Sequence, residues 1–479
     1  MNTLSRATLA VAPPRRPIRV LQIGDGVFLR GFVDWMIDVV NEKGVASLGV
    51  AVALARPHDS APKLAAQDGL YTVIERGRVD GADHEARRIV MAIELAFDPH
   101  RDPAQLRTLA ASPELEFVVS NTTEAGIVDG DEPYDPQVCP KNFPAKIAWL
   151  LKARFDALGA AAAPGLVFLP TELIEGNGRA LRRLTLAFAR RWALGAAFEA
   201  WVESQNLFLD SLVDRIVPGF PAQDAEALFT DWGYRDPLAV MAEPFHLWVI
   251  EGDLSARWPL AAAGLNVIWT DDLRPYREAK IRMLNGAHTA TALPAFLAGL
   301  DTVGEMIADE QFQRYLETLM FQVIAPYVPL PAAEREAYGR SVLERFQNPF
   351  LRHELISISL NSVSKWKARL LPTLKDAVAA EGHAPALVAY SFAALLWFYR
   401  GQAERGPYPL RDDPASLAIF AAAWAGSGKP ADVALALMRE TTMWGEDLSA
   451  IPTFADAVAS AITDISVFGV RGALATRLV

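Results

Sequence analysis

Ile18 to Ile23 is a short apolar run that ends in Gly24-Asp25-Gly26, and Val27 to Asn41 then carries apolar residues at helical spacing before Gly44. The local consequence is a strand, a glycine turn and a helix. A second run, Val50 to Leu54, follows at the distance of the next strand of a βαβ unit, and Leu115 to Val119 and Leu166 to Leu169 repeat the pattern. Continuous apolar runs of this length are strands buried on both faces, so the chain is committed to an α/β fold with a mostly parallel sheet.

Gly69 to Ile74 and Arg88 to Met91 flank a polar Asp80-Gly81-Ala82-Asp83 turn, which predicts an antiparallel excursion from that sheet. Pro144 to Leu158 and Arg179 to Leu194 are amphipathic and long enough to pack along a sheet face. After Asn266 to Trp269, the last strand candidate, the periodicity is almost entirely helical, around 280–299, 304–325, 333–346, 384–400 and 454–467. A chain of 479 residues exceeds the roughly 250–300 at which a single core stops growing. Two domains are therefore expected: an α/β domain over 1–272 and an all-helical domain over 273–479.

The net charge of -11, with both signs mixed along the chain, argues against nucleic acid as a partner. The single cysteine, Cys139, cannot close an internal disulfide and fits a reducing compartment. No signal-peptide pattern precedes Pro13-Pro14, and the longest apolar stretch read from the sequence, Ala384 to Tyr399, contains Pro385 and is shorter than the roughly 20 residues of a membrane span. The expectation is a cytoplasmic protein without a membrane partner. Oligomeric state is not legible.

Glycines that let the backbone approach a phosphate, followed by a helix offering free amides, form a cofactor cradle, and Gly24 and Gly26 sit where that requires. The third glycine of the dinucleotide fingerprint falls at Leu29, so a plain tight turn is the competing reading. At the end of the second strand, Arg56-Pro57-His58-Asp59 offers an acid for ribose hydroxyls and an arginine for a 2′-phosphate. Asp59 favours NAD, while Arg56 keeps NADP open as the alternative.

Lys280, Asn285 and His288 would fall within about 140° of arc on an ideal helix of 3.6 residues per turn. A metal-free ketone or alcohol oxidoreductase needs a group to move the hydroxyl proton and donors to polarise the oxygen, and these three residue types supply both. An exposed lysine and a core histidine are the alternative. No zinc site is expected, because the histidines are scattered without ligand spacing.

Taken together, Gly24-Asp25-Gly26-Val27-Phe28-Leu29-Arg30, Ser120-Asn121-Thr122-Thr123-Glu124-Ala125-Gly126, Val213-Asp214-Arg215-Ile216 and Lys280 with Asn285-Gly286-Ala287-His288 resemble the polyol-specific long-chain dehydrogenases, the mannitol dehydrogenase family. The resemblance runs from about Ile18 to the last helices. It implies a Rossmann-type N-terminal domain, a helical C-terminal domain and zinc-independent hydride transfer at the cleft between them. Lys280 matches the family's catalytic lysine, and Asn285 and His288 its oxygen-positioning partners. Asp25, Phe28, Leu29, Arg30, Asn121 and Thr122 join Gly24, Gly26 and Asp59 as expected cofactor contacts.

On the substrate side the resemblance adds Asp214 and Glu172. In Pro170-Thr171-Glu172-Leu173-Ile174, Leu173 replaces the asparagine of the mannitol-type members. That form, with Asp68-Gly69-Leu70-Tyr71, looks closest to the branch that reduces D-tagaturonate with NADH to D-altronate; fructuronate reduction and neutral polyol oxidation are the alternatives. A sugar-acid substrate needs a cation, and Lys365 and Arg369, four residues apart on a helix, are the residues expected to grip its carboxylate.

Overall fold

The computed structural model describes residues 1–11, 14–56, 61–122, 125–159, 163–426 and 428–478. The chain divides into two compact units, Met1–Arg76 with His84–Leu273, and Gly77–Asp83 with Arg274–Val479.

In the first unit the strands are β1 (Ile18–Ile23), β2 (Gly49–Ala53), β3 (Tyr71–Val79), β4 (Ala82–Val90), β5 (Ile93–Phe97) and β6 (Phe117–Ser120). They are followed by β7 (Val167–Pro170), β8 (Leu207–Phe208), β9 (Ser211–Asp214), β10 (Val240–Ala242), β11 (Leu247–Glu251) and β12 (Val267–Thr270). The main sheet has the order β5-β2-β1-β6-β7-β8, and every pair in it is parallel. Successive side chains of its central strands enter two different cores. Val20, Val50, Val52, Phe117, Val119, Val167 and Leu169 face one side with Phe32 and Met36. Leu21, Ile23, Ala51, Ala53, Val118 and Phe168 face the other with Ile147, Leu150 and Leu151 of the helix Phe143–Leu158. Burial on both faces is why these strands read as continuous apolar runs instead of alternating ones.

The antiparallel excursion is present as β3 and β4, which join β10 in a second sheet; Asp80 (φ 52°) and Gly81 (φ 76°) make the turn with two left-handed residues. A third sheet, β12-β11-β9, was not anticipated beyond its last strand. Its members, like β5 and β8, span two to five residues, too few for a period to register.

The second unit is built around the helix Ala386–Phe398, which is buried almost all round and packs on the helices Gly286–Leu297 and Phe454–Ala475. It is not wholly helical: Gln402–Ala403 pairs with Gly406–Pro407 as a small antiparallel ribbon. Phe454–Ala475 has 22 residues and, by length and composition alone, is apolar enough to cross a bilayer, which corrects the choice of Ala384 to Tyr399 as the longest apolar stretch. Gly469 (φ 69°) kinks it, and Gly469, Arg471 and Gly472 interrupt the pattern that marks a helix in the sequence. Val458, Ala461, Ile462 and Ile465 recur at helical spacing on its buried face.

Candidate functional site

β1 lies between β2 and β6, and the chain leaves it toward β2 on one side and later fills β6 on the other. In open α/β sheets that reversal opens a crevice at the carboxyl ends of the strands, where ligands bind. Gly24, Gly26, Asn121 and Thr122 all follow the carboxyl ends of β1 and β6.

Gly24 adopts φ +113°, and a Cβ there would lie 3.0 Å from the Asn121 carbonyl oxygen, so a side chain is excluded both by conformation and by space. A Cβ on Gly26 would meet nothing within 4 Å; the backbone there is open at the start of the helical run Val27–Glu42. A bare turn leading into free helix amides suits a pyrophosphate. The third glycine of the fingerprint is absent from position 29, where Leu29 is a core residue. Its packing role falls to Gly31, whose Cβ would stand 2.9 Å from Val217 Cγ1 and 3.2 Å from Val240 Cγ1. The run Arg30–Asp34 is a π turn.

Among the expected cofactor contacts, Arg30 donates from Nε to the Asp25 carbonyl (3.2 Å) and from Nη1 to the Leu238 carbonyl (2.5 Å). It braces the glycine turn from behind. Phe28 stacks on Phe32 at 5.0 Å. Asn121 donates to the Thr171 carbonyl (3.2 Å) and hydroxyl (3.0 Å), which ties the end of β6 to β7. Asp59 lies outside the described residues.

Glu172 is buried at the end of β7. Its Oε1 accepts from the Thr122 N–H and Oγ1, both at 2.9 Å, and its Oε2 from Ser120 Oγ at 3.1 Å. Burial raises its pKa, and the Thr122 and Ser120 donors oppose that rise. Within this unit it organises the turn after β6. Asp214 closes β9, is buried, and stands opposite Leu247 of β11. Its neighbour Arg215 pairs with Glu75 at 2.7 Å and donates to the Gly31 and Glu243 carbonyls.

In the second unit Arg274–Ala279 continues through a π segment, Lys280–Asn285, into Gly286–Leu297. The Gly286 N–H accordingly donates to the Ile281 carbonyl five residues back. The ideal-helix geometry therefore does not apply, and the wider turn brings Lys280 and Asn285 nearer to a common face than the about 140° of a regular helix. π turns are frequent at functional positions.

His288 follows one turn on. Burial pushes its pKa well below the usual histidine value, and His353, Arg345, Arg369 and Lys365 push it further down. Its ring centroid lies 3.9 Å from Phe346 and 5.3 Å from His353. Nδ1 is buried and has no hydrogen-bond partner among the described residues. Arg369 donates to Thr289 Oγ1 (3.0 Å) and to the Asn285 carbonyl (3.4 Å), so the helix Ser362–Arg369 is tied to the helix that carries Lys280, Asn285 and His288. Lys365 donates to the Ile358 carbonyl at 3.1 Å, and its pKa is lowered by burial and then by Arg369. The structure thus gathers Asn285, His288, Lys365 and Arg369 within one unit.

The sequence reading missed Arg345 and His353, which belong to the same cluster, and in the first unit Gly31, Gln22 and Asp34. A signal existed for Arg345: it lies three residues after Val342 on the buried face of Ala332–Phe346, and an arginine on an apolar face is the informative kind of buried polar residue. His353 sits in a segment without regular secondary structure, where no period marks it.

Residues 18–260 match the mannitol dehydrogenase Rossmann domain and residues 272–466 the mannitol dehydrogenase C-terminal domain. The chain is 40% identical to an altronate oxidoreductase of Halalkalibacterium halodurans, over 98% of this chain and 95% of that one. It is 39% identical to one of Yersinia enterocolitica, covering 99% of both chains, and 40% identical to one of Bacillus subtilis, over 96% and 95%. Among solved structures, a D-sorbitol dehydrogenase superposes with a TM-score of 0.81 at 23% identity, covering 96% of this chain and 95% of that one. A Pseudomonas fluorescens mannitol 2-dehydrogenase gives 0.68 at 24%, over 97% and 94%, and shares the fold. With both of its domains matched in order and full-length relatives near two-fifths identity, the chain belongs to the mannitol dehydrogenase family.

Proposed function

We propose that this oxidoreductase reduces D-tagaturonate to D-altronate, reversibly and with NADH, and that Lys280, Asn285 and His288 handle the substrate oxygen. The observation that carries the reading is a pair of half-buried cations on one helix: Lys365 and Arg369 lie four residues apart on Ser362–Arg369, and Arg369 donates to Thr289 Oγ1 at 3.0 Å and to the Asn285 carbonyl at 3.4 Å, on the helix that carries His288. The two cations repel, Arg369 lowering the Lys365 pKa, and an anion held between them relieves that repulsion. A substrate carboxylate provides that anion, and a neutral polyol does not. The names of the full-length relatives agree with a sugar acid.

The bare backbone at Gly24 and Gly26 fits the pyrophosphate of NADH, which when bound would supply the hydride for the keto carbon, and Asn121 and Thr122 would line the neighbouring edge. As the carbonyl oxygen gains charge, the Lys280 ammonium gives it a proton and becomes a neutral amine; in the oxidation direction the amine takes that proton back. His288, kept neutral by its surroundings, can donate a ring N–H to the same oxygen without a competing charge, and the Asn285 amide offers a second donor. Lys365 and Arg369 hold the carboxylate.

The test is oxidation of NADH, followed by absorbance, with D-tagaturonate, D-fructuronate and D-fructose, repeated with NADPH. A dominant kcat/KM for tagaturonate with NADH supports the proposal. Activity confined to fructose or fructuronate would replace the substrate and leave the chemistry in place.

A further inference from the structure

Lys146 is completely buried, yet among the described residues it has no carboxylate salt-bridge partner. It belongs to the helix Phe143–Leu158, far along the chain from β2, and its Nζ reaches the carboxyl end of that strand. It donates to the Ala55 carbonyl at 2.9 Å and lies 3.4 Å from the Leu54 carbonyl and 3.3 Å from His100 Nε2. Asp98, Cys139 and Glu132 are the other titratable groups whose charge is felt there. Burial pushes the Cys139 thiol up to about 11, so it stays neutral and is no counter-ion.

A buried ammonium that ends on backbone carbonyls is expensive to maintain. A methionine would fill the same volume without that penalty, so the contact calls for a reason beyond packing. Leu54 and Ala55 supply one. They follow β2, and in a sheet wound like this one the end of the second strand is where the adenosine ribose is read. The strand end is also fastened from the other side, where the Leu54 N–H donates to the Phe97 carbonyl at 3.2 Å.

We infer that Lys146 is a positioning residue for the cofactor's adenosine half: by holding the Leu54 and Ala55 carbonyls it fixes the strand end from which the ribose is recognised. It touches neither cofactor nor substrate. The inference rests on the nicotinamide-dinucleotide reading above.

The experiment measures NADH affinity by quenching of tryptophan fluorescence, together with steady-state kinetics, for the wild type, Lys146→Met and Lys146→Gln. Lys146→Met should weaken NADH binding about tenfold, the scale of a lost charge-assisted hydrogen bond, while kcat at saturating NADH and KM for the sugar acid move less than about twofold. Lys146→Gln keeps an N–H donor and should recover part of the loss. Wild-type NADH affinity in a folded Lys146→Met protein overturns the inference, as does a parallel loss of kcat and both KM values. As a measurement that needs no variant, amide exchange of the segment 49–56 in the wild type should slow when NAD is added; unchanged exchange with NAD bound also overturns it. A wild type that binds no dinucleotide at all sinks the cofactor reading instead, so the two failures are distinguishable.

Discussion

Glu172 holds Thr122 twice through one oxygen, accepting from its backbone N–H and from its hydroxyl at the same distance, 2.9 Å. The pair joins the ends of β7 and β6, beside the glycine turn. Glu172→Ala would leave a buried backbone donor and two hydroxyls without their acceptor, a loss of about 1–3 kcal/mol for the unsatisfied group. We expect a lower melting temperature and weaker NADH binding, with Glu172→Gln close to wild type because its amide oxygen still accepts from Thr122 and its NH2 can donate to Ser120 Oγ. If Glu172→Gln melts normally and binds NADH but has lost its affinity for the sugar acid, then Glu172 contacts substrate and the organising role is wrong.

Asp34 is fully buried behind the glycine turn, and its pKa is raised to about 7, chiefly by burial, although the Gln22 amide donates to it at 3.2 Å. The same Gln22 amide donates to the Gly24 carbonyl at 3.0 Å. Between the ordinary carboxylate range and pH 7 the folded chain keeps this proton while the unfolded chain loses it, so stability falls as pH rises through that window and is level above it. Asp34→Asn removes the effect. The variant should melt above the wild type at pH 8, by up to roughly 4 kcal/mol for a shift of this size, and the difference should close by pH 4. A constant difference across the range would assign it to packing.

Much of the first unit was legible because its central strands are buried on both faces: Val50 to Leu54 can be little else than an inner strand. The same logic fails for β9 to β11, short runs outside the main sheet: β9 and β11 pair in a sheet with β12, and β10 joins β3 and β4. At the site, Lys280, Asn285 and His288 were singled out by spacing and residue chemistry and then by the resemblance, but the angles between them could not be read from the sequence, since a π turn at Lys280–Asn285 has no composition mark and changes them. Arg30 shows what only the fold supplies: two of its donors go to the carbonyls of Asp25 and Leu238, a bracing of the glycine turn that no sequence pattern marks.

Removal of the proposed proton carrier gives the sharpest kinetic signature. Lys280→Ala should retain NADH affinity within a few-fold, since the glycine turn lies in the other unit, and should lose about 10²–10⁴ in kcat, the range for a positioned acid or base. The reading is wrong if NADH affinity and turnover fall together. Partial recovery by added primary amines would identify the missing group directly.

Arg369→Met and Lys365→Met separate anion binding from chemistry. Each should raise KM for the ketouronate by about 10- to 100-fold, as expected for loss of a charge-assisted contact, with kcat less affected and NADH binding unchanged. The effect should shrink at high salt in the wild type's favoured reaction if the contacts are solvent-accessible. Unaltered KM in both variants would move the carboxylate site elsewhere, with Arg345 the next candidate.

Gly31 tests how the absent third glycine is compensated. A methyl group there would come within 2.9 Å of Val217 Cγ1 and 3.2 Å of Val240 Cγ1, closer than side-chain carbons pack. Gly31→Ala must therefore push the helical run Val27–Glu42 off the sheet or displace Val217, an overpacking loss of about 1–3 kcal/mol. Because the same run presents the open backbone at Gly26, NADH affinity should drop with stability. Val217→Ala removes both γ-methyl groups from the collision, so the double variant should recover stability relative to Gly31→Ala alone, a coupling that independent sites do not show. Additive losses in the double variant would mean that Gly31 is required for its backbone conformation and not for the close approach.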